Sequence, residues 1–134
     1  EGEPWDFVIL QEMSHGPISS PQSFFTSAKR LCEWIRTKGA TPVLFATWAY
    51  EKGGAKLADK SWDYEDMARQ LFAAYRQAAQ ENRALLAKVG QRFYDLSPTH
   101  PLYVADGVHP NEAGSQLAAE VLAETILTHK ELTP

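Results

Sequence analysis

Trp5-Asp6-Phe7-Val8-Ile9-Leu10, closed by the polar pair Gln11-Glu12, is the stretch on which the fold reading turns. Its near-continuous apolar character, without alternation, predicts a strand buried on both faces, as in a parallel sheet covered by helices on both sides. A second run of this kind is Pro42-Val43-Leu44-Phe45-Ala46-Thr47. Between the two, the spacing predicts a helix from about Pro21 or Ser23 to Lys38, with Phe24, Phe25, Ala28, Leu31, Cys32 and Ile35 facing inward and Gly39 as C-cap. Strand, helix and strand in that order form a right-handed crossover unit with parallel strands.

Outward from this unit, Met13 to Gln22 collects Gly16, Pro17, Pro21 and several serines and reads as a loop. Trp48 to Lys60, with Gly53-Gly54 and no periodicity, reads as a loop leaving the end of the second strand. A helix is expected from about Ser61 or Tyr64 to Asn82, burying Met67, Ala68, Leu71, Phe72, Tyr75, Ala78 and Ala79. Ala84 to Val89 suits a third strand, although Leu85-Leu86-Ala87 can equally end the helix. Gly90 breaks the pattern, Gln91 to Leu96 allows one or two helical turns, and a loop with Pro98 and Pro101 follows. A last helix from Glu112 to about His129 buries Leu117, Ala118, Val121, Leu122 and Thr125. The alternation predicts an α/β fold over residues 1–134 as a single domain, a three-layer sandwich with a mostly parallel sheet.

The chain has 134 residues, 44% hydrophobic and 22% charged, which places it in the globular class. A formal charge of -4, with no basic cluster longer than Lys29-Arg30, argues against nucleic acid or an anionic membrane surface as the main partner. Small or neutral ligands fit better. The single cysteine, Cys32, lies on an apolar helical stripe and reads as a buried thiol. No stretch approaches the ~18 consecutive apolar residues of a membrane span. Nothing at the N-terminus has the pattern of a signal peptide, and localisation stays open.

Asp106-Gly107-Val108-His109-Pro110-Asn111, entering the last helix, is the stretch where chemistry is expected. Gly107 permits a tight turn, Pro110 presets φ at the helix entry, and Asn111 suits an N-cap that accepts from a first-turn amide. A histidine held on such a loop can act as general base, and an aspartate three residues before it can orient the ring and stabilise the imidazolium. A plainer role remains open: the aspartate capping the helix and the histidine packing on its neighbours. Ligands in such folds bind beyond the carboxyl ends of the strands, and Gln11 to Ser14, Thr47 to Tyr50 and Asp106 to His109 all belong to that edge.

Asp106-Gly107-Val108-His109-Pro110 with Gly114 resembles the last block of the SGNH, or GDSL-like, hydrolases, whose Asp-x-x-His-Pro loop supplies the acid and base of a Ser-His-Asp triad. Trp5 to Glu12 with Ser14 resembles the third-block strand of a subgroup that reads Leu-Gln-Glu, and Thr47-Trp48 resembles that subgroup too. The resemblance implies a flavodoxin-like fold and an esterase acting on acyl or acetyl esters, often of carbohydrates or lipids, without a metal or other cofactor. Asp106 and His109 would be catalytic, and Gln11, Ser14 and Trp48 are candidates for the oxyanion hole or substrate pocket. The family's Gly-Asp/Asn-Ser nucleophile block and its second-block glycine have no counterpart here, and the third-block asparagine aligns near Met13, which cannot donate. The expectation is therefore a C-terminal part of a longer hydrolase, with the N-terminal strands and the serine outside this chain; two strand-helix units of ~30 residues each would supply them.

Other readings stay beside this one. Ser14, next to His15, could be an internal nucleophile, although a loop hydroxyl is the plainer role. Trp48 and Tyr50 could line a pocket or simply pack, while Trp62 and Tyr64 suit the start of a helix. His15, His100, Asp106 and His109 could form a zinc set, without the spacing of a zinc motif. The chain could also be a catalytically inactive carbohydrate- or protein-binding module. An exposed sheet edge would favour a homodimer or a complementing N-terminal segment.

Overall fold

The two apolar runs lie side by side in the computed structural model, which describes residues 4–132. Strands β1 (Phe7–Leu10), β2 (Thr41–Phe45) and β3 (Leu85–Ala87) form one parallel sheet in the order β1-β2-β3, with Ile9 beside Val43 and Val43 beside Leu85. Six helices complete the described residues: α1 (Gly16–Ser19), α2 (Pro21–Thr37), α3 (Ala55–Lys60), α4 (Tyr64–Asn82), α5 (Val89–Leu96) and α6 (Glu112–Leu132).

Alternate residues of the central strand divide the core. Leu44 and Ala46 face Phe24 and Ala28 of α2 and Tyr75, Ala78 and Ala79 of α4. Val43 and Phe45, with Ala87, face Val89 and Phe93 of α5 and Leu117, Ala118 and Val121 of α6. Helices thus cover both faces of the parallel sheet, as the alternation predicts. Val43, Leu44, Tyr75 and Phe93 are almost completely buried, each worth about 1.5–3 kcal/mol in apolar transfer. A third cluster, with Ala49, Tyr50, Leu57, Tyr64, Met67 and Leu71, takes in Val108. It is the cushion on which the Asp106–His109 loop rests.

The local signals act as expected at several ends. Gly39 follows α2 at φ 79°, and the Asn111 carboxamide oxygen accepts from the Gly114 amide at 2.8 Å. Cys32 is a buried free thiol, and burial raises its pKa. Among the described residues no helix is long and apolar enough to cross a membrane.

Other expectations need correction. β1 is not buried on both faces: its residues are at most half-buried, and Ile9 is 45% exposed. The strand lies at an edge of the described sheet, so a neighbour covers it on one side only. For the same reason Leu31, expected to face inward, lies exposed on the rim of a cleft with Leu10 and Gln11. Gly90 does not break a helix but sits in the first turn of α5, where a Cβ would run into the Thr47 carbonyl oxygen. The stretches read as loops contain α1 and α3, too short to show a period.

Candidate active site

The Asp106–His109 loop is built mostly from its own backbone. Tyr103 and Pro110 form an antiparallel bridge at its stem, where the Val104 amide donates to the His109 carbonyl at 2.9 Å. The Gly107 amide donates to the Val104 carbonyl at 3.0 Å, and Gly107 turns the chain at φ 67°, a conformation that a side chain would strain. Within that turn one oxygen of Asp106, Oδ1, accepts from the amides of Val108 and His109 at 2.8 and 2.9 Å. The other, Oδ2, lies 2.6 Å from His109 Nδ1.

Electrostatics assign the proton in that contact. The hydrogen bond from the His109 ring, followed by those from the His109 and Val108 amides, holds the Asp106 carboxyl down at about 2. The carboxylate is therefore ionised at neutral pH, and Nδ1 must carry the hydrogen it donates. In the neutral ring this leaves Nε2 with a free lone pair. The His109 side chain is 75% exposed, and Nε2 has no hydrogen-bond partner among the described residues. The arrangement can take a proton from a hydroxyl brought to Nε2 and return it later. The capping alternative is not what the geometry displays. Asn111 caps α6, Asp106 serves loop amides, and His109 is not packed into the core.

Two partners hold the loop from outside. The Glu51 amide donates to the Gly107 carbonyl and the Trp48 indole Nε1–H to the Val108 carbonyl, both at 2.8 Å. Trp48 is half-buried and stacks on Phe93 with centroids 4.3 Å apart. Its single donor is thus occupied by the loop backbone, which puts Trp48 beneath the loop. This role was missed because Trp48 and Val108 are sixty residues apart; a tryptophan at a strand end marks the edge without naming a partner.

The remaining candidates fall elsewhere along the same edge. Gln11 is exposed just after β1, on the wall of a cleft of about 240 Å³ that also takes in Glu12, Ser27, Leu31 and Tyr75. Ser14 Oγ lies 3.0 Å from Tyr50 Oη and has no hydrogen bond to an imidazole; the neighbouring His15 engages Ser19 through Nδ1 at 2.8 Å. This favours the loop-hydroxyl reading. The histidines weighed as zinc ligands do not converge. His15 also packs against Trp62, His100 engages Thr99, and no group of three or more His, Cys, Asp or Glu among the described residues could hold a metal.

A solved structure of a proposed SGNH hydrolase from Slackia heliotrinireducens is 48% identical and superposes with a TM-score of 0.88, over 93% of this chain and 67% of that one. The chain belongs to the SGNH hydrolase family. A DUF4886 family protein from Bacteroides uniformis is 18% identical at TM-score 0.75, over 92% of this SGNH chain and 51% of its own. An acetyl xylan esterase from Geobacillus stearothermophilus is 17% identical at TM-score 0.68, over 92% and 60%. At that distance these two share the fold alone with the present SGNH chain, which spans little more than half of their length. No family model matches the chain, and no curated protein matches it.

Proposed function

We propose that this SGNH chain supplies the acid–base half of a serine ester hydrolase, with His109 as general base and acid, Asp106 as its orienting carboxylate, and a nucleophilic serine outside these 134 residues. One observation carries the reading: the 2.6 Å contact between Asp106 Oδ2 and His109 Nδ1, on a loop that leaves the His109 ring exposed and Nε2 without a hydrogen-bond partner among the described residues. The serine hydroxyl gives its proton to Nε2 while its oxygen attacks the acyl carbonyl; the imidazolium then protonates the leaving alcohol. Water repeats the cycle on the acyl-enzyme. Asp106 stays ionised throughout and steadies the imidazolium. Acyl or acetyl esters are the substrate class, carbohydrate or lipid esters among them. Family membership through a 48% identical relative supports this, and the fold shared with an acetyl xylan esterase agrees with it.

The test uses the longer protein that includes the segment preceding Glu1. His109→Ala should lower its turnover of p-nitrophenyl acetate by about 10⁴-fold or more while leaving the fold intact. Unchanged turnover removes the assignment. The 134-residue chain alone should hydrolyse the ester no faster than its own His109→Ala variant. Binding of acetylated oligosaccharides by the longer protein without turnover would instead mark a binding module.

A further inference from the structure

We propose that Trp48 is a positioning residue for the Asp106–His109 pair, its stacked indole holding the Val108 carbonyl and, through it, the backbone that carries the imidazole; the catalytic part of this proposal rests on the function proposed above.

The loop's hydrogen bonds lead to this residue. The amides of Val108 and His109 are taken by Asp106 Oδ1, and the Gly107 amide and the His109 carbonyl are used within the stem. The Gly107 and Val108 carbonyls each reach the segment that follows β2. At Gly107 the donor is the Glu51 main chain, which almost any residue would offer. At Val108 it is the Trp48 side chain, the one side chain that hydrogen-bonds to Val104–His109 from outside the loop among the described residues.

Its placement is rigid. Trp48 lies nearly parallel to Phe93, with an 8° interplanar angle, and Phe93 is fully buried. Phe93 meets Tyr103 edge-on at 5.7 Å, and the Tyr103 hydroxyl donates to the Ala49 carbonyl at 2.6 Å. Stem and tip of the loop are therefore tied to adjacent residues, 48 and 49, through three aromatic rings. Releasing the Val108 end lets the peptide before His109 rotate, and a misplacement of about 1 Å at a reacting group can cost roughly 10²-fold in rate.

The test replaces Trp48 with β-(3-benzothienyl)alanine, which keeps the bicyclic shape and lacks the N–H, with Trp48→Phe as a second variant. In the 134-residue chain, the proton resonance of the His109 Nδ1–H should broaden or vanish through solvent exchange. The Asp106 carboxyl should titrate higher, with circular dichroism unchanged. In the longer protein kcat should fall about ten- to hundredfold, with KM changed by less than about twofold. An unchanged resonance and an unchanged kcat overturn the proposal, as does a loss of activity that only follows the unfolded fraction. His109→Ala, assayed in parallel, separates the two ideas. If it abolishes turnover while both Trp48 variants match the parent, the positioning role falls and the esterase reading stands. If it leaves turnover intact, the esterase reading falls, and the Nδ1–H resonance alone decides whether Trp48 positions the pair.

Discussion

Asp106 and His109 share one carboxylate in two ways: Oδ1 accepts the amides of Val108 and His109, while Oδ2, 2.6 Å away, receives the ring Nδ1–H. The backbone of His109 and its side chain are thus oriented by the same group. The three-residue spacing allows this because the turn at Gly107, at φ 67°, brings both amides back over the carboxylate. An aspartate merely near a histidine would fix the ring but not the peptide that carries it.

The first prediction follows from this sharing. Asp106 should titrate at about 2 instead of its ordinary 3.8. Because the folded value lies below the unfolded one, the linked stabilisation is fully present above pH 3.8 and lost as pH falls through 2. In His109→Ala the largest cause disappears while the backbone donors remain, so the midpoint should rise yet stay under 3.8. Carbon-detected NMR of the carboxyl through an acid titration reads this directly. An identical midpoint in parent and variant would show that the ring is not the cause.

Asp106→Asn should spare the fold and impair the chemistry. The amide oxygen can still accept from Val108 and His109, but the amide nitrogen then faces Nδ1 and favours the tautomer with its proton on Nε2, where no hydroxyl proton can be accepted. A fall in kcat of about 10⁴-fold is expected in the longer protein, with KM little altered. A loss under about tenfold would mean that the carboxylate does not set the tautomer.

What could be read in advance was local. The apolar runs at residues 5–10 and 42–47 became β1 and β2, and the Asp-x-x-His loop with its Asn111 cap formed where the spacing put it, because turn, cap and ring are decided within a few residues. What could not be read depends on neighbours distant in sequence. Ile9 and Leu31 are as apolar as Val43, yet their burial depends on what lies beside β1. Trp48 finds Val108 only after the chain has crossed the sheet. Gly90, which sequence pattern marks as a breaker, is explained by the Thr47 carbonyl above it.

That last contact is itself testable. A Cβ at Gly90 would overlap the Thr47 carbonyl and come within 3.3 Å of the Trp48 Cα, both main-chain groups that cannot swing aside. Gly90→Ala, otherwise favourable in a helix, should therefore destabilise by about 1–3 kcal/mol. Thermal unfolding should register it as a fall of roughly 3–4 °C per kcal/mol at this chain length. A raised melting temperature would show that the helix α5 can move off the end of β2 at little cost.

The edge of β1 leads to the final prediction. The strand pairs with β2 on one side and with no described strand on the other, and Trp5, Ile9 and Met13 along it are all exposed, with Leu31 of α2 on the rim of the adjoining cleft. Unpaired strand backbone flanked by apolar side chains is a template for another strand. The 134-residue chain should therefore self-associate, its sedimentation coefficient rising with concentration. Ile9→Lys places a charge on that edge and should hold the chain monomeric without unfolding it, since the position is 45% exposed. The preceding segment of the longer protein, added in trans, should compete for the same edge and dissolve the association. A parent chain that stays monomeric at every concentration would mean that the edge is protected without a partner strand.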